Sequence, residues 1–217
     1  KIPSGELLSV PYLRKIACLN QEVILSTGMG NLAEVEFSVN TLIEAGLAKT
    51  NLTILHANTA YPTPYKDVNL KAMLSIQKHF DIDVGLSDHS LGIEVPIAAV
   101  ALGARVIEKH FTLDKSLPGP DHKASLEPDE LKAIVNSIRH IEQAMGSGKK
   151  QTTPSEQVNI GLARKRIVAK TDIALGELFT ERNLTLKRSD KGAFSEDWDR
   201  WIGQASQKNF QEGDSIE

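Results

Sequence analysis

Val-Gly-Leu-Ser-Asp-His-Ser-Leu-Gly-Ile-Glu-Val-Pro-Ile-Ala-Ala-Val-Ala-Leu-Gly-Ala-Arg-Val-Ile-Glu-Lys-His-Phe-Thr, residues 84–112, is the stretch whose reading decides the fold. Val84–Ser87 reads as a short strand, Ile93–Leu102 as an Ala- and Val-rich helix, and Arg105–Lys109 as another strand. Strand, crossover helix and strand make one βαβ unit, whose strands run parallel. His89 and His110 follow the two strands at equivalent places. In a parallel β/α fold the strand C-termini open onto the active site, which places both imidazoles on one rim. Imidazole is the commonest metal ligand, and a pair with vacant positions beside it suits a metal that handles substrate.

The same alternation extends outward. Glu22–Ser26 and Leu52–His56 read as strands, Ala33–Ala45 and Leu70–His79 as helices, and Pro128–Met145 as a long amphipathic helix. Ile2–Ser4 reads as the tail of an earlier strand. The class is α/β with parallel units and right-handed crossovers. A complete (β/α)8 TIM barrel needs eight strands and about 250 residues. Residues 1–145 therefore read as its C-terminal half, and the chain as a fragment, since a half barrel leaves edge strands unpaired. Gly146–Pro154 is rich in Gly, Lys and Thr and begins a linker over 146–160. Residues 161–217, with short runs Arg166–Ala169 and Leu184–Lys187, read as a small β-rich domain.

Composition excludes several classes. A formal charge of −3 leaves no electrostatic footprint for nucleic acid. No apolar run approaches the roughly 20 residues of a membrane helix, and Lys-Ile-Pro-Ser-Gly-Glu is not a signal peptide. The single cysteine, Cys18, forms no internal disulfide, so a reducing, cytoplasmic setting is expected.

Other strand ends carry small polar groups. Lys1, Ser4 and Glu6 follow the first, Ser26-Thr27-Gly28 the second, and His56 through Pro64, with Asn58 and Tyr61, the third. Ser87 precedes His89, and Asp121 lies in the Pro- and Gly-fixed loop after His110. Hydroxyls, exposed amides and a lysine on one rim can hold a phosphate or carboxylate. Singly, strand-end serines commonly cap helices. His56 has an equal chance of facing the barrel wall, and His79 and His140 read as solvated. Of Glu108 and Lys109, strand alternation lets one share the face of His110.

The stretches 1–6 (Lys-Ile-Pro-Ser-Gly-Glu), 25–29 (Leu-Ser-Thr-Gly-Met), 61–70 (Tyr-Pro-Thr-Pro-Tyr-Lys-Asp-Val-Asn-Leu), 85–90, 107–115 and 118–128 together resemble the sialic acid synthases of the bacterial N-acetylneuraminate synthase type. The resemblance implies a half TIM barrel followed by an antifreeze-like (SAF, β-clip) domain. It implies a transferase in which phosphoenolpyruvate condenses with an N-acetylated hexosamine, such as N-acetylmannosamine, giving a nine-carbon sialic acid and phosphate. It also implies a divalent cofactor, Mn2+ with Mg2+ or Co2+ as alternatives, that polarises the sugar aldehyde.

Position by position, His89 and His110 resemble the metal ligands. Lys1, Ser4, Ser26 and Ser87 resemble the phosphoenolpyruvate groups, with Asn58 one place earlier than the family's usual amide. Glu6, Tyr61 and Asp121 resemble the groups that meet the amino sugar, Glu6 also serving proton transfer. Arg188 resembles the antifreeze-domain arginine that binds the N-acyl group in a partner subunit, which implies a domain-swapped homodimer. Ser189-Asp190-Lys191-Gly192 stands where relatives commonly have Pro-Gly-Asn-Gly. Without an N-terminal half-barrel, the fragment is expected to be inactive alone. Rival readings are a legionaminic acid synthase, another metal-dependent barrel aldolase, and a non-catalytic sugar-binding fragment.

Overall fold

Four strands form the first sheet: β1 (Val23–Ser26), β2 (Leu52–Ala57), β3 (Asp83–Asp88) and β4 (Val106–Lys109), parallel and in the order β1-β2-β3-β4. In this computed structural model, which describes residues 1–217, they lie in the first of two compact units, Lys1–Gly148 and Lys149–Glu217. The expected strand over Ile2–Ser4 holds at Ile2 alone. Ile2 bridges Leu25 in parallel, its N–H donating to the Ile24 carbonyl, and Ser4–Glu6 turns into a short 3-10 helix.

Helices α1 (Val10–Ala17), α2 (Leu32–Glu44), α3 (Tyr65–Val68), α4 (Lys71–Phe80), α5 (Glu94–Ala101) and α6 (Pro128–Ala144) connect and follow the strands. α2 begins at an Asn31/Glu34 capping box, and α6 at a Glu127/Glu130 box with Pro128 in its first turn. Each box satisfies amide donors that a helix start leaves unpaired. α1 packs on α2, and α5 on α6.

Both faces of the sheet are covered in its middle, as expected for parallel strands. On the helix side Leu25, Ile54, Val84 and Leu86 join Leu42, Met73 and Ala99 in one core. On the other face Leu55 and Gly85 are register partners, as are Gly85 and Val106. A Cβ at Gly85 would stand 2.6 Å from Leu55 Cδ2 and collide with the Val106 carbonyl, so this position accommodates only a glycine without movement.

The sheet is curled. Lys1, beside β1, ion-pairs with Glu108 on β4 at 2.8 Å. Four strand spacings of about 4.8 Å would separate them by about 19 Å in a flat sheet, beyond the joint reach of the two side chains. The strands therefore form a concave half-barrel, with Lys1 and Glu108 meeting inside it.

The second unit contains α7 (Pro154–Ala163), an antiparallel pair β5 (Lys165–Ala169) and β6 (Leu184–Arg188), and the short α8 (Trp198–Trp201). α7 occupies part of the stretch expected to be linker. Thr153 and Glu156 form a capping box with Pro154 at the first helical position, a local signal strong enough to start a helix in a polar run. Ile167, Ile173, Phe179, Leu184, Phe210 and Ile216 form a separate small core flanked by Trp198 and Trp201. No helix is long and apolar enough to cross a membrane.

Candidate active site

Side chains alternate along β3 and β4, so Ser87 and His89 share the concave face with Glu108 and His110, while Asp88 and Lys109 point the other way. Ser87 and Glu108 are direct register partners. Ser87 Oγ donates to Glu108 Oε1 at 2.7 Å, and Lys1 Nζ reaches Oε1 and Oε2 at 3.0 and 2.8 Å. Burial pushes the Glu108 carboxyl up, but the hydrogen bonds from Lys1 and Ser87 and the charge of Lys1 outweigh it and hold the group below its ordinary range. Glu108 is thus a carboxylate that orients the Lys1 ammonium.

Just past these residues the rings of His89 and His110 lie 5.3 Å apart at 73°. Tyr61 completes the cluster, 4.1 Å from His89 and 5.4 Å from His110. His89 Nδ1 stands 2.5 Å from the Asn58 carbonyl. A carbonyl only accepts, so Nδ1 carries the proton and Nε2 keeps its lone pair. Burial lowers the pKa of His89, against the Asn58 hydrogen bond and with a further push from His110, keeping the ring neutral. His110 Nδ1 lies 3.8 Å from Asp121 Oδ2. Burial, then Asp121 and Glu108, raise the Tyr61 phenol above its usual value, so it stays a hydrogen-bond donor.

This donor set fits a divalent cation. A neutral imidazole anchored through one nitrogen to a backbone carbonyl, with the other nitrogen free, is the usual state of a metal-ligating histidine. No group of three or more His, Cys, Asp or Glu is assembled for a metal. The protein would supply His89 and His110, leaving the other positions to water or substrate.

The remaining expected residues fall in several places. Ser26 is buried with its Oγ unpartnered. Ser4 Oγ accepts from the Gly28 amide at 2.9 Å, where a Cβ would stand 2.8 Å from that oxygen and 2.7 Å from Thr59 Cγ2. Gly28 is therefore what lets these two rim loops approach. Glu6 is half-buried in the turn Ser4–Glu6. The Asn58 amide is engaged within its own loop, accepting from Ala60 N at 2.8 Å and donating to the Asp67 carbonyl at 3.3 Å. His56 Nε2 lies 2.7 Å from the Val68 carbonyl, on the helix side rather than with the cluster. Arg188 is exposed at the end of β6 in the second unit. Glu108 is the residue that sequence reading did not select, although its place two residues before His110 put it on that face.

A concave parallel half-barrel with an imidazole pair and a lysine-carboxylate-serine cluster at its strand ends places the chain among β/α-barrel proteins that carry their polar groups on the strand-end rim. The chain belongs to the NeuB family, whose pattern matches residues 1–150, with a SAF domain at residues 164–217. It is similar to N,N'-diacetyllegionaminic acid synthase of Campylobacter jejuni, 54% identical over 100% of the chain and 65% of the relative. The enzyme of that name from Legionella pneumophila is 42% identical over 100% of the chain and 61% of the relative. The crystal structure of N-acetylneuraminic acid (sialic acid) synthetase from Leptospira borgpetersenii, in complex with citrate, matches with a TM-score of 0.66 and 36% identity, over 72% of this chain and 54% of that one. The chain thus spans less than two thirds of these relatives.

Proposed function

We propose that this chain is the catalytic-rim part of a synthase that condenses phosphoenolpyruvate with an N-acetylated amino sugar to give a nine-carbon sugar acid. The observation that carries the reading is the Lys1–Glu108–Ser87 cluster on the same concave face as the His89–His110–Tyr61 cluster. The first offers a charged donor and hydroxyls for an anionic reactant, and the second faces the site of a carbonyl. In the reaction a carbon–carbon bond forms between the enol carbon and the sugar aldehyde. Water then adds at the carbon that bore the phosphate, and the carbon–oxygen bond to phosphate breaks.

Within this reading Lys1 and Ser87 hold the phosphoenolpyruvate carboxylate or phosphate, with the unpaired Ser26 hydroxyl and Ser4 beside them. Asn58 fixes the proton of His89, Tyr61 donates a hydrogen bond to the sugar and Asp121 accepts one from it, while Glu6 is available for proton transfer. A divalent cation between His89 and His110, Mn2+ foremost, would supply Lewis-acid polarisation of the aldehyde. Arg188 of a second subunit would read the N-acyl group in a domain-swapped homodimer. The two legionaminic acid synthases among the relatives favour a doubly acetamidated acceptor over N-acetylmannosamine.

Phosphate release is the test. The chain alone is expected to release none. Co-expressed with the amino-terminal half-barrel of a NeuB-family relative, it should release phosphate only when phosphoenolpyruvate, amino sugar and Mn2+ are all present, faster with the doubly acetamidated sugar. His110→Ala should reduce that rate about 100-fold or more. Release without sugar, or full activity of His110→Ala, would contradict the assignment.

A further inference from the structure

Directly behind the imidazole pair lies a buried ion pair that the rim chemistry does not use. Asp88 and Lys109 are the last register partners of β3 and β4, and their side chains are 1% and 4% exposed. Lys109 Nζ donates to Asp88 Oδ2 and to the Ser90 carbonyl, each at 2.6 Å. Asp88 Oδ1 in turn accepts from Ser90 Oγ at 2.7 Å and from Ser90 N at 2.9 Å. Both carboxylate oxygens are satisfied, and the ammonium spans from one strand end to the residue after His89.

The position matters because the ladder stops there. His89 and His110 lie one residue further on, and their carbonyls accept from Thr63 and Leu126, which belong to different loops. The strand register pairs Asp88 with Lys109 and goes no further, so behind the rings, whose front is held by Asn58, Tyr61 and Asp121, Lys109 ties β4 to the residues on either side of His89. A buried ion pair is also a poor choice for stability, since apolar residues of similar volume commonly serve as well or better. Its directional bonds give what apolar packing does not, a fixed distance and twist between two strand ends.

We infer that Asp88 and Lys109 are positioning residues that hold His89 and His110 at the separation the site requires. The inference rests on the proposed role of the histidines as a working pair. It predicts a double variant, Asp88→Leu with Lys109→Met, that still folds, with a melting temperature lowered by the Ser90 amide, hydroxyl and carbonyl it leaves unpaired, and that loses the ring geometry. In metal-free protein, cross-relaxation between the ring protons of Tyr61, His89 and His110 should be strong in the parent and weakened or lost in the variant. Mn2+ affinity, measured by calorimetry, should fall about 10- to 100-fold. Retained ring contacts in a folded variant overturn the inference. So does a double variant that fails to fold, because the pair would then be part of the core rather than a positioning device. If the parent binds no Mn2+, the metal reading fails, while the ring contacts still decide whether the pair positions the histidines.

Discussion

The two units solve the problem of a folded core in different ways. In the first, every strand lies within a parallel sheet, and the same residues that make the ladder deliver the site, Ser87 opposite Glu108 and His89 beside His110. In the second, one antiparallel pair is supplemented by single bridges, among them Ile173 with Phe210 and Leu178 with Ala205, around a ring cluster of Phe179, Trp201 and Phe210. Disturbing the first sheet should therefore be felt in the site, whereas disturbing the second unit should act on its own small core. A small core has little reserve, because the fraction of surface that a chain buries falls with its size.

Lys109→Met alone gives the sharpest test, since it leaves Asp88 buried without its cation. Stability of the first unit should fall by about 3–5 kcal/mol, read by amide hydrogen exchange in β3 and β4. Loss confined to the terminal residues would separate the sheet from the site and break the comparison. In the second unit, Phe179→Ala removes the ring that Trp201 and Phe210 both contact, at 5.7 and 5.9 Å. A cost of about 3–5 kcal/mol is expected. Both tryptophans, Trp198 and Trp201, lie in this unit, so fluorescence in a urea titration reports it directly. An unchanged midpoint would show that the rings are not its core.

Gly85→Ala should cost about 1–3 kcal/mol by overpacking against Leu55 and the Val106 carbonyl. Because that collision pushes β3 from β4, the Tyr61, His89 and His110 ring contacts should weaken with it, as seen by nuclear magnetic resonance. The smallest effect concerns pH. The Glu108 carboxyl sits below its ordinary range when folded, so its contribution is present above that range and fades as pH drops through and below it. With its side chain 39% exposed, solvent limits the gain to below about 1 kcal/mol. Glu108→Gln should flatten that acid limb of a stability-against-pH curve, and an identical limb would remove the Lys1–Glu108 pair from the account.

Much of this was legible along the chain, for reasons specific to each element. The apolar runs at Leu52–His56 and Val84–Ser87 become β2 and β3, because a strand buried on both faces has few alternatives. The helices beginning at Leu32 and Pro128 carry their own start signals. By contrast, no element is read from the sequence over 7–21, where the amphipathic α1 with its Pro11 lies, and 146–160 reads as linker because the helix at 154–163 has little apolar periodicity. The imidazole pair was legible from its equivalent positions after two strands. The side to which His56 turns was not, because it depends on the Val68 carbonyl across the chain.

Local pattern by itself determined the strands β1 to β4, the helices between and after them, the parallel sense of the sheet and the rim that collects His89, His110 and Ser87, because a period of two and a βαβ connection leave little freedom. Only the tertiary structure decided that Lys1 meets Glu108 across 107 residues of sequence, and that Asp88 and Lys109 close behind the histidines. Those contacts depend on the curl of the sheet and on which side chains are withdrawn from water, quantities that belong to the assembled strands rather than to any one of them.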